Sequence, residues 1–127
     1  MIRGLESIVF FTGNADALAS FYKDKVGLEI REESEGEDGS KMFELKAGDG
    51  PGIYLVTNSE IKCKNQGGAG VVPNLEVDDI EKEDKRMKDA GVNAVEEVHH
   101  LEGYGLVATY EDPDGNKFCF AQVKAAE

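Results

Sequence analysis

At 127 residues the chain has the length of one domain, enough to bury about two-thirds of the surface its unfolded form exposes. Acidic residues outnumber basic ones 26 to 14, for a formal charge of −12, and that field repels phosphate backbones and sets nucleic acid aside as a partner. No run approaches the ~20 consecutive apolar residues of a membrane span, and the apolar stretch in MIRGLESIVFFTGNADAL is too short for a signal peptide, so a soluble cytoplasmic protein without membrane contact is expected. The acidity itself reads as a well-solvated surface. Cys63 and Cys119 form no CxxC pair and are too few for a disulfide framework, which leaves reduced thiols.

LESIVFFT alternates with period two and reads as a strand. GNADALASFYKDKVGLEI then carries both signs of a helix: Asn14 as N-cap and Gly27 as terminator, with Leu18, Phe21, Tyr22 and Lys25 on one face. Three more alternating stretches follow, VGLEIREES, SKMFELKA and GIYLVTN, separated by the turn-like SEGEDGS and AGDGPG. After the glycine-rich CKNQGGAG at 63–70 the pattern restarts with VVPNLEV. A second helix, VDDIEKEDKRMKDAGVNAV, takes Asp78 or Asp79 as cap and Ile80 and Met87 as a thin apolar stripe. Glu81 with Lys85 and Asp84 with Lys88 are spaced for ion pairs four apart, and Gly91 ends the helix. VNAVEEVHH, YGLVATYE and NKFCFAQV complete the chain, broken by LEGYG and DPDG.

Thirteen positions separate Asn14 from Gly27 and again Asp78 from Gly91, and the two glycines lie 64 apart, about half the chain. The sequence therefore repeats once. The expected architecture is α+β, one domain over 1–127 built from two βαβββ modules at 1–62 and 71–127 joined by the linker 63–70.

Alternation assigns faces. Ile8 and Phe10, Ile53 and Leu55, Leu75 and Val77, and Phe118 and Phe120 are expected beneath the helices. The opposite face takes Ser7, Val9 and Phe11 from the first strand, Tyr54 and Val56 from the fourth, Val72, Asn74 and Glu76 from the fifth, and Lys117, Cys119 and Ala121 from the last. A lining that mixes apolar and polar side chains suits a ligand cavity.

As a set, ASFYKDKVGLEI, LEVDDIEKEDKRMKDAGV and YEDPDGNKFCF resemble the vicinal oxygen chelate superfamily, which includes glyoxalase I, extradiol dioxygenases and bleomycin resistance proteins. The resemblance covers nearly the whole chain. It implies a half-open cup of mixed sheet, usually completed by a homodimer. In metal-dependent members His or Glu side chains on the first and fourth strands of one half and the first and last of the other hold a divalent ion. The matching positions here are Ser7, Tyr54, Val71 or Val72, and Cys119, and a register error of one still leaves fewer than the three donors a metal site needs. No metal and no other cofactor is expected.

Residues outside that set admit plain structural readings. Only one of His99 and His100 can face the cup from the sixth strand, and a solitary inward histidine is more often a hydrogen-bonded wall residue than a ligand, although a site with Glu97, Glu111 or Cys119 stays open. Cys119 between two phenylalanines reads as a small core hydrophobe, since a reactive thiolate needs a cation and only Lys117 or a histidine offers one. Tyr54, Tyr104 and Tyr110 read as cavity or strand packing rather than catalytic acids, with a role in ligand contact left open. Gly103 and Gly105 around Tyr104 fit a lid or a simple turn. No Ser/His/Asp triad, Walker loop or GxGxxG is present.

Three functions remain. The first is a metal-free protein that binds or sequesters a small organic ligand through Ser7, Phe11, Tyr54, Val72, Asn74 and Glu76 together with His99, Tyr104, Lys117 and Cys119. The alternatives are a metal-dependent lyase, isomerase or dioxygenase of the glyoxalase type, and a non-catalytic dimeric interaction module.

Overall fold

Two capped helices organise the molecule, each laid across one face of its own sheet. In the computed structural model, which describes residues 1–3, 5–58 and 71–123, the chain divides into two units, Met1–Cys63 and Lys64–Glu127. The expected linker at 63–70, Cys63 within it, and the last four residues of the second module lie outside the described residues. Among the described residues no helix is long and apolar enough to cross a membrane.

In the first unit β1 (Ser7–Thr12), α1 (Ala15–Ser20), β2 (Glu29–Glu35), β3 (Lys41–Lys46) and β4 (Gly52–Thr57) follow in order. Thr12, fully buried, closes the corner into the helix, its Oγ1 accepting the Asn14 N–H at 3.1 Å. The Asn14 side chain then accepts the Ala17 N–H at 3.1 Å, so the expected cap is present. The sheet order is β1-β4-β3-β2, with β1 parallel to β4 and the other pairs antiparallel.

One expectation on this helix needs correction. Beyond Ser20 the chain winds as a π-helix over Phe21–Val26 before Gly27 ends it at φ 100°. The wider turn shifts the inward position by one residue, so Val26 is buried beside Leu18, Phe21 and Tyr22 while Lys25 is exposed. Seating valine rather than lysine inside is the favourable outcome. Of the expected core Leu55 is fully buried and Ile53 nearly so, while Ile8 and Phe10 are half-buried, the Phe10 and Tyr22 rings lying 6.4 Å apart; Leu45 and Phe43 of β3 complete the buried layer.

The second unit repeats the order with β5 (Asn74–Glu76), α2 (Ile80–Asp89), β6 (Asn93–Leu101), β7 (Gly105–Glu111) and β8 (Lys117–Val123). Its sheet runs β5-β8-β7-β6, again with a parallel pair, β5 and β8, at one edge. Of the two candidate caps Asp79 is the one used, accepting the Lys82 N–H at 3.2 Å. Ile80 and Met87 are fully buried, as the stripe requires. Asp84 pairs with Lys88 at 3.0 Å, but Lys85 bonds Asp89 at 2.8 Å instead of the expected Glu81. Lys85 thereby places its charge near the helix C-terminus, where the dipole favours a cation held one turn further on.

Beneath α2 the rings of Tyr110, Phe118 and Phe120 form a cluster with centroids 5.3–6.0 Å apart. Its polar end is satisfied: the buried Tyr110 hydroxyl donates to Asp84 Oδ1 at 2.5 Å, and Lys88 bridges Asp84 to Glu97. The DPDG turn is built on Asp112, whose Oδ1 accepts the N–H groups of Asp114 and Asn116, each at 2.9 Å.

Candidate functional site

The faces turned away from the helices are the candidate site, one on each unit. On the first sheet, register aligns Val9, Tyr54, Glu44 and Glu32 in one row and Phe11, Val56, Met42 and Ser34 in the next. Ser7 stands opposite Gly52. Three expected residues, Ser7, Phe11 and Tyr54, thus share a face, with Phe11 56% exposed and Val9 46% exposed. Exposed aromatic and aliphatic surface beside carboxylates makes this face a candidate site.

Tyr54 OH donates to Glu44 Oε2 at 3.2 Å. That hydrogen bond, then partial burial and the negative charge of Glu44, Glu6 and Glu32, raises the phenol's pKa above its ordinary value, so Tyr54 stays protonated as a donor. A Cβ on Gly52 would sit 3.1 Å from Glu44 Oε2, so the missing side chain leaves space for that carboxylate. Glu44 and Met42 were not among the sequence candidates, although the alternation of SKMFELKA places them opposite Phe43 and Leu45 and was the signal available.

On the second sheet the rows are Asn74, Cys119, Thr109 and Glu96, then Glu76, Ala121, Val107 and His99. Asn74, Glu76, Lys117, Cys119 and His99 therefore occupy one face. The Cys119 sulfur lies 3.2 Å from Thr109 Oγ1, and Lys117 is held by Glu111 at 3.2 Å. Register also separates the two histidines. His99 shares the face with Val107, its Nδ1 2.9 Å from the Glu97 carbonyl oxygen, while His100 falls in the row of Leu106 and Gln122 on the opposite face.

Two expected residues sit apart from these rows. Val72 precedes the fifth strand, which begins only at Asn74: Pro73 has no N–H to continue the ladder, although its carbonyl still accepts the Cys119 N–H at 2.9 Å. Tyr104 lies in the β6–β7 turn, 38% exposed, its N–H bonded to the Leu101 carbonyl at 3.0 Å.

The residues do not fit a divalent ion in the positions where related folds hold one. Ser7 Oγ is engaged with Glu6 at 2.7 Å, Tyr54 is a protonated phenol, Val72 has no donor, and Cys119 is the single soft ligand. Among the described residues no three His, Cys, Asp or Glu side chains converge to hold a metal.

Residues 4–120 match the sequence profile of the Glyoxalase/Bleomycin resistance protein/Dioxygenase superfamily. Among solved structures the chain is similar to an antibiotic binding protein from Streptomyces sp. CB03234, at 18% identity and a TM-score of 0.73 over 97% of this chain and 98% of that one. It is also similar to a glyoxalase I mutant from Zea mays, at 20% identity and a TM-score of 0.81, where 94% of this chain spans 45% of that enzyme. A glyoxylase/bleomycin resistance protein/dioxygenase domain from Frankia sp. EAN1pec gives 12% identity and a TM-score of 0.79, covering 98% of this chain and all of the other. At these identities the likeness is one of fold. No curated protein matches the chain.

Proposed function

Because the chain belongs to the Glyoxalase/Bleomycin resistance protein/Dioxygenase superfamily, we propose that it binds a small organic molecule on the helix-free faces of its sheets and does so without a metal ion. The observation that carries this reading is the donor set. Where metal-dependent relatives place imidazoles and carboxylates, this chain places a serine, a protonated tyrosine, a valine and a cysteine.

What the faces offer instead is contact area and a few oriented polar groups. Phe11, Val9, Val56 and Met42 supply apolar surface, Tyr54 a hydroxyl oxygen free to accept while its proton is held by Glu44, and Glu44 and Glu32 negative charge, which together suit an apolar molecule bearing a positive group. On the second sheet Asn74, Glu76, His99, Lys117 and Cys119 supply the polar contacts, and Tyr104 and Val72 flank them. The similar antibiotic binding protein supports the ligand class in general terms. The same reading takes the two modules as one domain and a cytoplasmic homodimer as the working form, with no nucleic acid or membrane partner; light scattering during gel filtration tests the dimer.

A thermal-shift screen with aromatic amines, neutral aromatics and aromatic acids tests binding, because a ligand that prefers the folded state must raise Tm. Aromatic cations should raise it most, and Tyr54→Ala and Glu44→Gln should each weaken the response about tenfold. A response that survives both substitutions unchanged, or no response to any class, contradicts the proposal.

A further inference from the structure

A depression of about 450 Å³ opens at the end of the second unit's sheet, where β5 gives way to α2, and touches the face that carries Cys119 and Asn74 at Glu76 and Val123. Val77, Leu106 and Val123 form its apolar lining, while Glu76, Asp78, His100 and Gln122 supply the polar groups. Its volume is in the usual range for a small-molecule site, about 300–1,000 Å³. We propose that this depression is a second binding site, sharing Glu76 with the one above but otherwise built from different residues, which takes a small organic ammonium compound.

The polar groups around it are free to serve a ligand. No hydrogen bond or ion pair joins the Glu76 or Asp78 carboxylate, or the His100 ring, to another described residue. Gln122 is oriented: its Oε1 accepts the Ile80 N–H at 2.9 Å, which turns the amide NH2 away as a donor without a partner among the described residues. Two carboxylates flanking an apolar floor match an ammonium group on a hydrocarbon or aromatic body, with the amide and imidazole left to read a polar substituent.

Other occupants fit less well. An anion would look to the N-terminus of α2, but Gln122 already takes the Ile80 N–H and Asp79 takes the Lys82 N–H, and both carboxylates repel it. A metal ion is disfavoured because no three of the described His, Cys, Asp and Glu side chains converge there.

The test is a titration of isotope-labelled protein by two-dimensional NMR with benzylamine, benzyl alcohol and benzoate as probes. Benzylamine should shift the Gly105, Leu106 and Gln122 signals saturably, benzyl alcohol more weakly, and benzoate not at all. The Glu76→Gln, Asp78→Asn double variant should lose about tenfold in benzylamine affinity while keeping a dispersed spectrum, since both side chains are exposed and rim charges of this kind act additively. His100→Ala should weaken binding as well, and Tyr54→Ala should leave it unchanged. Absence of saturable shifts, an equal response to benzoate, or full affinity in the double variant overturns the proposal. So does a response confined to residues around Tyr54 or Cys119, which would assign the amine to the first site and leave that earlier reading standing.

Discussion

Tyr110 shows how a single side chain fixes a helix to its sheet. Its ring lies in the aromatic cluster, its hydroxyl bonds Asp84 on α2, and Lys88 completes the charge balance. Tyr110→Phe removes the donor and leaves a buried carboxylate oxygen short of a partner, so urea unfolding should show a loss of about 2 kcal/mol. Burial first, then the Asp84 hydrogen bond, pushes the Tyr110 pKa far above its ordinary value. The folded state therefore keeps a proton that the unfolded chain releases above about pH 10. The stabilisation is complete below that pH and declines as pH rises through the alkaline range. Unfolding midpoints followed from pH 8 upward should fall more steeply for the wild type than for Tyr110→Phe. In sequence Tyr110 was recognisable as packing, but its partner was not, because Asp84 sits 26 positions away on another element.

At the scale of elements, caps and terminators were legible because they act through local geometry. Asn14, Asp79 and Gly27 each stand where their chemistry predicts, and Gly27 adopts φ 100°, a conformation that costs other residues strain. Gly27→Ala should destabilise by about 1 kcal/mol, and Asp79→Ala by about 1 kcal/mol through the lost cap, both readable from denaturant midpoints at constant slope. Less legible was anything that inserts a residue into a regular period. The π-helix moved the buried position from Lys25 to Val26, and Pro73 shortened the fifth strand and left Val72 outside it. Irregularities between Ala94 and Glu96 and between Glu96 and His99 each flip the side-chain phase of β6, so alternation along VNAVEEVHH could not say which histidine faces which way. Cross-strand register decided it for His99.

For the whole molecule, the repeat foretold two copies of one strand, helix and three-strand plan, and both units follow it with the same sheet order and one parallel edge pair. The net charge of −12 carries a consequence at this scale. Self-repulsion opposes the compact state, so moderate salt should raise the urea midpoint before specific ion effects enter. A midpoint that falls steadily with salt would mean that favourable ion pairs such as Lys88–Asp84 outweigh that repulsion. The helix-free faces were legible in outline, since strand alternation put Ser7, Phe11 and Tyr54 on one and Cys119 on the other, whereas Glu44 was placed beside Tyr54 by the pairing of β3 with β4.

The proposed metal-free binding rests on the poverty of these faces in metal donors, and elemental analysis of protein purified without chelators or an affinity tag tests it most directly. Divalent metal should stand far below one ion per chain, and the unfolding temperature should be the same with and without EDTA. One zinc, nickel, manganese or iron per chain, retained through gel filtration and stabilising the fold until it is chelated, would contradict it.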